Sequence, residues 1–201
     1  MISSVRADAF VESPGPAARL HVRKAAMHDI APILDLINGY AAKGIMLPRT
    51  EFEMSEAIRD FTVAIQDGKL LGCGALHFYS PTVGEIRSLA VGESAKTHGV
   101  GRRLVEALVS EAVQYDLHAV FAFTYVVEFF NRVGFHEVER GVLPLKAWKD
   151  CLRCPKFQAC DEIAVLRVLR PEHWTEPHGT TDAVGWSPDE TLIQIPIPAK
   201  L

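Results

Sequence analysis

The most constraining feature of the sequence is an apolar, strand-like run that leads through a glycine-containing turn into a periodic helix. The run spans residues 85–91, the turn reads Lys96-Thr-His-Gly-Val-Gly, and the helix follows from Gly101. Gly99 and Gly101 allow the backbone to adopt positive φ and to approach a ligand closely. The first turn of such a helix presents unpaired N–H groups and the positive end of the helix dipole. The stretch therefore predicts a cradle for a phosphate or pyrophosphate.

The glycine turn alone does not identify the ligand. A lone Gly-x-Gly at a helix start is more often only a tight turn, and this one lacks both the Gly-Lys-Ser/Thr of a P-loop and the third glycine of the dinucleotide fingerprint. A net charge of −4 argues against non-specific nucleic-acid binding. No apolar run reaches the roughly 20 residues that span a membrane, and the N-terminus does not resemble a signal peptide. We therefore expect a cytoplasmic protein with neither nucleic-acid nor membrane partners.

The chain is organised as one α+β domain between two irregular ends. Residues 1–19 predict a flexible lead-in, residues 20–170 the domain, and residues 171–201, which carry five of the twelve prolines, a C-terminal extension. Hydrophobic periodicity, turn residues and caps, among them Asp29 as the N-cap of the first helix, predict the elements in order. They are a strand at 20–24, helices after Asp29 and at 51–59, strands at 62–66, 69–79 and 85–91, a helix at 101–115, a strand at 119–124, a helix at 128–133, a strand at 135–140, helical turns at 145–150 and a strand at 163–169.

Two motifs in this order resemble the GCN5-related N-acetyltransferase (GNAT) superfamily. Lys96-x-x-Gly99-x-Gly101 is similar to the family segment Arg/Gln-x-x-Gly-x-Gly/Ala, with a lysine in its first position. Phe129-Phe130-Asn-Arg-Val-Gly134-Phe135 is similar to the family segment FYxxxGF. The resemblance covers residues 21–169. It implies the GNAT fold, a mixed and mostly antiparallel sheet that splays at strands 4 and 5 and carries helices on both faces.

Within the superfamily the chain resembles amino-acid N-acetyltransferases of the N-acetylglutamate synthase type. Residues 33–37, 44–49, 85–91 and 148–155 carry this likeness. It implies transfer of acetyl from acetyl-CoA, without a metal, to the α-amino group of L-glutamate, the first step of arginine biosynthesis. The family also implies two alternatives, an acceptor that is another amino acid, a polyamine or a protein N-terminus, and a non-catalytic acyl-CoA sensor. A homodimer is expected on the same resemblance.

The resemblance assigns the coenzyme to the end of the fourth strand and to the glycine turn. Backbone N–H groups near Leu89, Ala90 and Val91 would pair with pantetheine and stabilise the oxyanion. The pyrophosphate would bind at the turn and first helical residues, which are Lys96, Gly99, Val100, Gly101, Arg102 and Arg103. Phe130 stands where the family has a tyrosine that protonates the thiolate, so it either packs against the coenzyme or fills the core. Tyr125 is the nearest alternative acid, and water is the other.

The acceptor amine must lose a proton before it can attack, so a general base is expected. Glu85 matches the carboxylate that the family often places at the start of the fourth strand. His77 is a competing base, although an isolated histidine on a strand is more often structural. Arg49 and Arg87 are the candidate clamps for the acceptor carboxylates. Because strand side chains alternate, Glu85 and Arg87 share one face, where they could act on the same substrate. The alternative interpretation is a surface salt bridge between these two residues.

The cysteines form a cluster, Cys151-x-x-Cys154-x5-Cys160-Asp161, that has some likeness to a metal site. Zinc sites usually show two clean pairs of ligands, so we expect free cysteines and no metal. Cys73 lies within a predicted strand and is expected in the core.

Overall fold

The computed structural model describes residues 19–140, 143, 154–156 and 159–174. Its strands are β1 (His21–Lys24), β2 (Phe61–Gln66), β3 (Lys69–Phe78), β4 (Val83–Val91), β5 (Ala119–Thr124), β6 (His136–Glu137) and β7 (Ile163–Val168). Its helices are α1 (Ile30–Ala41), α2 (Glu51–Ala57), α3 (Val100–Gln114) and α4 (Val127–Arg132). None of these described helices is long and apolar enough to cross a membrane. The helical turns predicted at residues 145–150 lie outside the described residues.

The described strands form one sheet in the order β1-β2-β3-β4-β5-β7-β6. β4 and β5 run parallel, and all the other neighbouring strands run antiparallel. The β2–β3 hairpin turns through Asp67 and Gly68, which both have positive φ (52° and 72°), as an Asp-Gly turn requires. The predicted mixed, mostly antiparallel sheet is confirmed.

One face of the sheet is covered by α1 and α2. Ile33 and Ile37 of α1 are fully buried, and they pack with Val63 of β2 and with Cys73 and Ala75 of β3. The 3.6-residue spacing of the isoleucines predicted this face. The layer formed by α1 and α2 therefore lies over β2, β3 and the adjoining part of β4.

The opposite face is covered by α3 and, beside it, α4. Val105 and Leu108 of α3 are fully buried against Leu76 of β3, Ile86 of β4 and Val120 of β5. Because Ile86 faces α3, its neighbours Glu85 and Arg87 face the α1–α2 layer. The sheet thus separates two layers, with the middle of β4 presented to both.

Two local expectations differ from the structure. Asp29 precedes α1, but its side chain does not cap that helix, because it accepts two hydrogen bonds from Arg23 (2.6 and 3.0 Å) and one from the N–H of Ala26 (2.8 Å). A short 3-10 turn before α1 aims the carboxylate back toward β1. The predicted strand at 135–140 is shorter than expected: only His136–Glu137 form a strand paired with β7, after which the N–H of Val138 donates to the carbonyl of Ala164 (3.0 Å) and Arg140 binds the carbonyls of Cys160 and Glu162.

Candidate active site

The sheet opens where β4 parts from β5. The two strands pair only over Val83–Glu85 and Ala119–Phe121, and the rest of β5 pairs with β7 alone. Within the described residues, no strand pairs with β4 on that side beyond Glu85. This is the predicted splay between strands 4 and 5. It leaves backbone N–H and C=O groups of β4 facing the gap, which is the arrangement an extended ligand can pair with.

A β-bulge at Ser88 sets how the end of β4 is presented. Ser88 has φ of 52°, and the three steps from Arg87 to Ala90 stand opposite two steps from Ala75 to Cys73. The extra residue reverses the alternation of the strand. Ala90 consequently packs in the α1–α2 layer, whereas Leu89 and Val91 pack on the α3 side.

The two glycines of the turn have different structural roles. Gly99 is left-handed (φ 73°) and directly precedes α3, so it provides the positive φ that we predicted. Gly101 does not have positive φ, which corrects the prediction for this residue. A Cβ placed there would lie 3.3 Å from the ring atoms Cε2 and Cζ of Phe129 and 3.6 Å from Cγ2 of Val91. The position of Gly101 therefore requires a small residue, because α4 packs against the first turn of α3.

The start of α3 has the chemistry of an anion site. The N–H of Arg103 donates to the carbonyl of Gly99 (3.1 Å), so Val100, Gly101 and Arg102 precede the first hydrogen bond of the helix. The first turn contains no acidic residue, and no described side chain caps it. Three backbone N–H groups and the helix dipole therefore favour an anion at this end.

Two of the predicted cations at the turn make ion pairs of their own. The ammonium of Lys96 lies 2.8 Å from Glu93 and 5.2 Å from the ring centroid of Tyr40. This hydrogen bond raises the pKa of Lys96 and lowers that of Glu93. Arg102 is mostly exposed and pairs with Glu106 at 2.7 Å. Arg103 is exposed on the same turn. The backbone, more than these side chains, therefore defines the cradle.

Glu85 is the buried carboxylate of the site. It is only 4% exposed, stands opposite His77 of β3 and lies beside Phe121 of β5 in the sheet register. Arg87 is half-buried and stands opposite Ala75, so it shares the face of Glu85, as predicted. A carboxylate at the last paired position before the splay is next to the gap between the strands.

The environment of His77 favours a structural role for its imidazole. Its Nδ1 lies 3.2 Å from Oδ2 of Asp60, and its ring packs edge-on against Tyr79, with 5.4 Å between centroids. Arg49, the other predicted clamp, lies in the loop between α1 and α2. The side chain of Asn38 binds both the N–H and the carbonyl of Arg49. Arg49 therefore belongs to the layer that covers the face of Glu85 and Arg87.

An open groove of about 420 Å³ lies at the start of α4, lined by Tyr125, Val126, Val127, Glu128, Phe129 and Arg132. The hydroxyl of Tyr125 donates to Asp161 (2.9 Å) and accepts from Lys156 (3.1 Å). Burial raises the pKa of Tyr125, and the hydrogen bond from Lys156 opposes that shift. Lys156 and Asp161 were not connected with Tyr125 from the sequence, because nothing local links them to a residue more than thirty positions earlier.

Phe130 fills the core. It is 3% exposed, and its ring lies edge-on between Phe129 and Phe135, with centroids 5.3 and 5.1 Å away. Of its two expected roles, the structure favours the packing role, because little of the ring is left for a coenzyme to contact.

The cysteines form no metal cluster within the described ranges, where no group of three potential ligands converges. Cys151 lies outside those ranges, and Cys154 and Cys160 are half-buried thiols. Cys73 is in the core, as predicted, and burial raises its pKa to about 12.

The splayed sheet and the glycine turn agree with the comparison with known protein families. Residues 33–135 match the acetyltransferase (GNAT) family. The chain is 44% identical to an uncharacterized N-acetyltransferase of Chlorobaculum tepidum, over 77% of this chain and 99% of the relative. It is 40% identical to an amino-acid acetyltransferase of Mycobacterium tuberculosis, over 59% of this chain and 69% of that enzyme. The chain therefore belongs to the GNAT family of acetyltransferases.

Solved structures agree with this assignment. A Mycobacterium tuberculosis protein in complex with CoA matches with a TM-score of 0.65 at 32% identity, over 74% of this chain and 99% of that one. The N-acetylglutamate synthase of Neisseria gonorrhoeae, complexed with coenzyme A and N-acetyl-glutamate, matches with a TM-score of 0.68 at 29% identity. That match covers 77% of this chain and 36% of the longer enzyme. The protein is an acetyltransferase, and its acetyl donor is acetyl-CoA.

Proposed function

We propose that this protein transfers acetyl from acetyl-CoA to the α-amino group of an amino acid, with L-glutamate as the acceptor. The observation that carries the proposal is the pair Glu85 and Arg87. A buried carboxylate and a guanidinium share one face of β4 at the point where β4 leaves β5. Relatives named amino-acid acetyltransferases and the N-acetylglutamate synthase structure support the same acceptor class.

Glu85 acts as the general base in this proposal. An amino acid arrives with an ammonium group, and Glu85 accepts one proton from it, directly or through water. The free amine then attacks the thioester carbonyl carbon. Arg87 and Arg49 bind the carboxylates of the acceptor, because a guanidinium fork matches a carboxylate in geometry and charge. A glutamate held in this way would present its α-amino group toward Glu85.

The coenzyme half of the reaction uses backbone groups. Pantetheine pairs with the open side of β4, and a backbone N–H between Leu89 and Val91 donates to the oxyanion of the tetrahedral intermediate. The pyrophosphate binds the N–H groups at the start of α3, with Arg103 exposed on the same turn and Lys96, which is paired with Glu93, close in sequence. When the C–S bond breaks, the acylated nitrogen loses its remaining extra proton to water, and the CoA thiolate takes a proton from Tyr125 or from water.

The experiment that tests the proposal is steady-state release of CoA thiol with a panel of amines. L-Glutamate should support the highest kcat/KM, and N-acetylglutamate should appear in equal amount with the thiol. Turnover only with another amino acid, a polyamine or a peptide N-terminus would instead identify an acetyltransferase of different acceptor specificity. A sensor function is favoured by Phe130 in place of a tyrosine, and it predicts coenzyme binding without any turnover.

The proposal also places the protein in the cytoplasm, as a homodimer, at the first step of arginine biosynthesis. Growth of a bacterial arginine auxotroph that lacks N-acetylglutamate synthase tests the pathway. Expression of this chain should restore growth without arginine, and a Glu85→Gln variant should not. Light scattering of the purified protein tests the dimer.

A further inference from the structure

The two ends of the loop between α1 and α2 are joined by the side chain of Asn38. Asn38 lies near the end of α1, and its Nδ2 donates to the carbonyl of Arg49 at 3.0 Å. Its Oδ1 accepts from the N–H of Arg49 at 2.9 Å. The side-chain amide therefore pairs with the backbone of Arg49 through both groups, as a neighbouring strand would. Residues 42–48 lie in the loop between these two joined residues, so the segment resembles a compact Ω-loop.

The residue after Arg49 is also fixed. The hydroxyl of Thr50 accepts from the N–H of Glu53 (3.2 Å), and the N–H of Thr50 donates to the carboxylate of Glu53 (2.9 Å). This capping box anchors the start of α2. The backbone of Arg49 is thus held on one side by α1 and on the other by α2. Movement of residues 42–48 need not displace it.

We propose that Asn38 is a positioning residue that sets acceptor specificity by fixing Arg49. The inference rests on the proposed function, in which Arg49 and Arg87 bind the acceptor carboxylates. A guanidinium on a long side chain has many rotamers, so a fixed backbone is needed before the guanidinium can be aimed at one point. Displacement of a binding group by about 1 Å can cost two orders of magnitude in rate. Asn38 supplies this fixed point from the helix that packs on the same face as Arg87.

A purely structural role for Asn38 predicts that its loss lowers stability and raises the KM of both substrates equally. The positioning role predicts a different outcome. Asn38 is half-buried, so water can replace its amide when the side chain is shortened. Loss of Asn38 should therefore change the unfolding temperature little, while the position of Arg49 becomes less defined. Specificity for the acceptor, rather than stability or coenzyme affinity, is the property that should respond.

The test is a double-mutant cycle of Asn38→Ala and Arg49→Ala in the full chain, with Asp35→Ala, an exposed position on the same helix, as the control. We expect Asn38→Ala to raise the KM for glutamate about tenfold, the factor that corresponds to about 1.4 kcal/mol. The KM for acetyl-CoA should stay unchanged, and the preference for glutamate over glutamine should fall. In the Arg49→Ala background, Asn38→Ala should have no further effect on glutamate. Asp35→Ala should behave as the wild type.

Three results would overturn the inference. They are equal rises in the KM of both substrates, additive effects of the two substitutions, and an Asn38→Ala variant that matches the wild type. If Asn38→Ala does not fold, Asn38→Asp keeps the acceptor for the N–H of Arg49 and removes the donor to its carbonyl, so the same cycle can be run with it. Failure of the proposed function looks different, because the wild type itself would then release no thiol with amino acids, and the role of Asn38 would fall with it.

Discussion

Alanine at Gly99 and Gly101, the two glycines at the start of α3, should be harmful for two separable reasons. Gly99 has φ of 73°, and among the described residues no heavy atom beyond its immediate chain neighbours lies within 4 Å of the position of its missing Cβ. Gly99→Ala therefore meets no clash, but an L-residue in the left-handed region costs roughly 1–2 kcal/mol. For a chain of this size that corresponds to a fall in Tm of roughly 2–8 °C. Asparagine tolerates this conformation, so Gly99→Asn should recover most of the loss.

Gly101→Ala acts through packing. The new methyl group would lie 3.3 Å from the ring of Phe129, so that ring must move by a few tenths of an ångström. Overpacking costs about 1–3 kcal/mol, but alanine gains up to about 1 kcal/mol over glycine within a helix. The net change in stability should therefore be small. The displaced ring belongs to α4 beside the start of α3, so the KM for acetyl-CoA should rise.

Thermal unfolding and the KM for acetyl-CoA, measured on the same preparations, separate the two effects. Phe129→Leu in the Gly101→Ala background should restore the KM, because it removes the ring that the methyl group meets. The reasoning is wrong if Gly99→Asn loses as much stability as Gly99→Ala. It is equally wrong if Phe129→Leu leaves the KM of the Gly101→Ala variant unchanged.

Substitutions at three further positions test other parts of the structure. Ser88→Val forces a β-branched residue into positive φ and should cost about 1–3 kcal/mol in chemical denaturation, whereas Ser88→Gly should be neutral or stabilising. The hydrogen bonds from Arg23 lower the pKa of Asp29, so its contribution to stability is present above its unfolded pKa of about 3.9 and is lost as the pH falls through the folded value. Asp29→Asn should therefore destabilise the protein at neutral pH and flatten the stability profile below about pH 4, as followed by denaturation across pH. Arg87→Ala should raise the KM for the acceptor far more than that for acetyl-CoA, and equal effects in steady-state kinetics would remove Arg87 from the clamp.

Local pattern was enough to predict most of the elements. The isoleucine spacing of α1, the Asp-Gly hairpin and the alternation of β4 up to Arg87 each depend on a few neighbouring residues, and each is found in the structure. The placement of Glu85 and Arg87 on one face followed from the same alternation. These features could be predicted because the physics that determines them is local.

The features that could not be predicted depend on long-range packing. The pattern of Arg87-Ser88-Leu89 predicts a regular strand, and the bulge at Ser88 is evident only in the pairing of β4 with β3. The sequence likewise did not indicate that the ammonium of Lys96 binds Glu93 and lies over Tyr40, a residue of α1. The hydroxyl of Tyr40 also binds the carbonyl of Val91 at 2.6 Å, which ties α1 to the end of β4. No spacing in the sequence indicates that α1 reaches the end of β4 and the turn before α3.

Release of CoA thiol from acetyl-CoA in the presence of L-glutamate, with the acetylated product identified by mass spectrometry, decides whether the protein acetylates glutamate. We expect glutamate-dependent release, equal amounts of N-acetylglutamate, and loss of turnover in Glu85→Gln with coenzyme binding retained. A protein that binds acetyl-CoA but releases no thiol with glutamate, or that acetylates only a different class of amine, would rule out the proposed function.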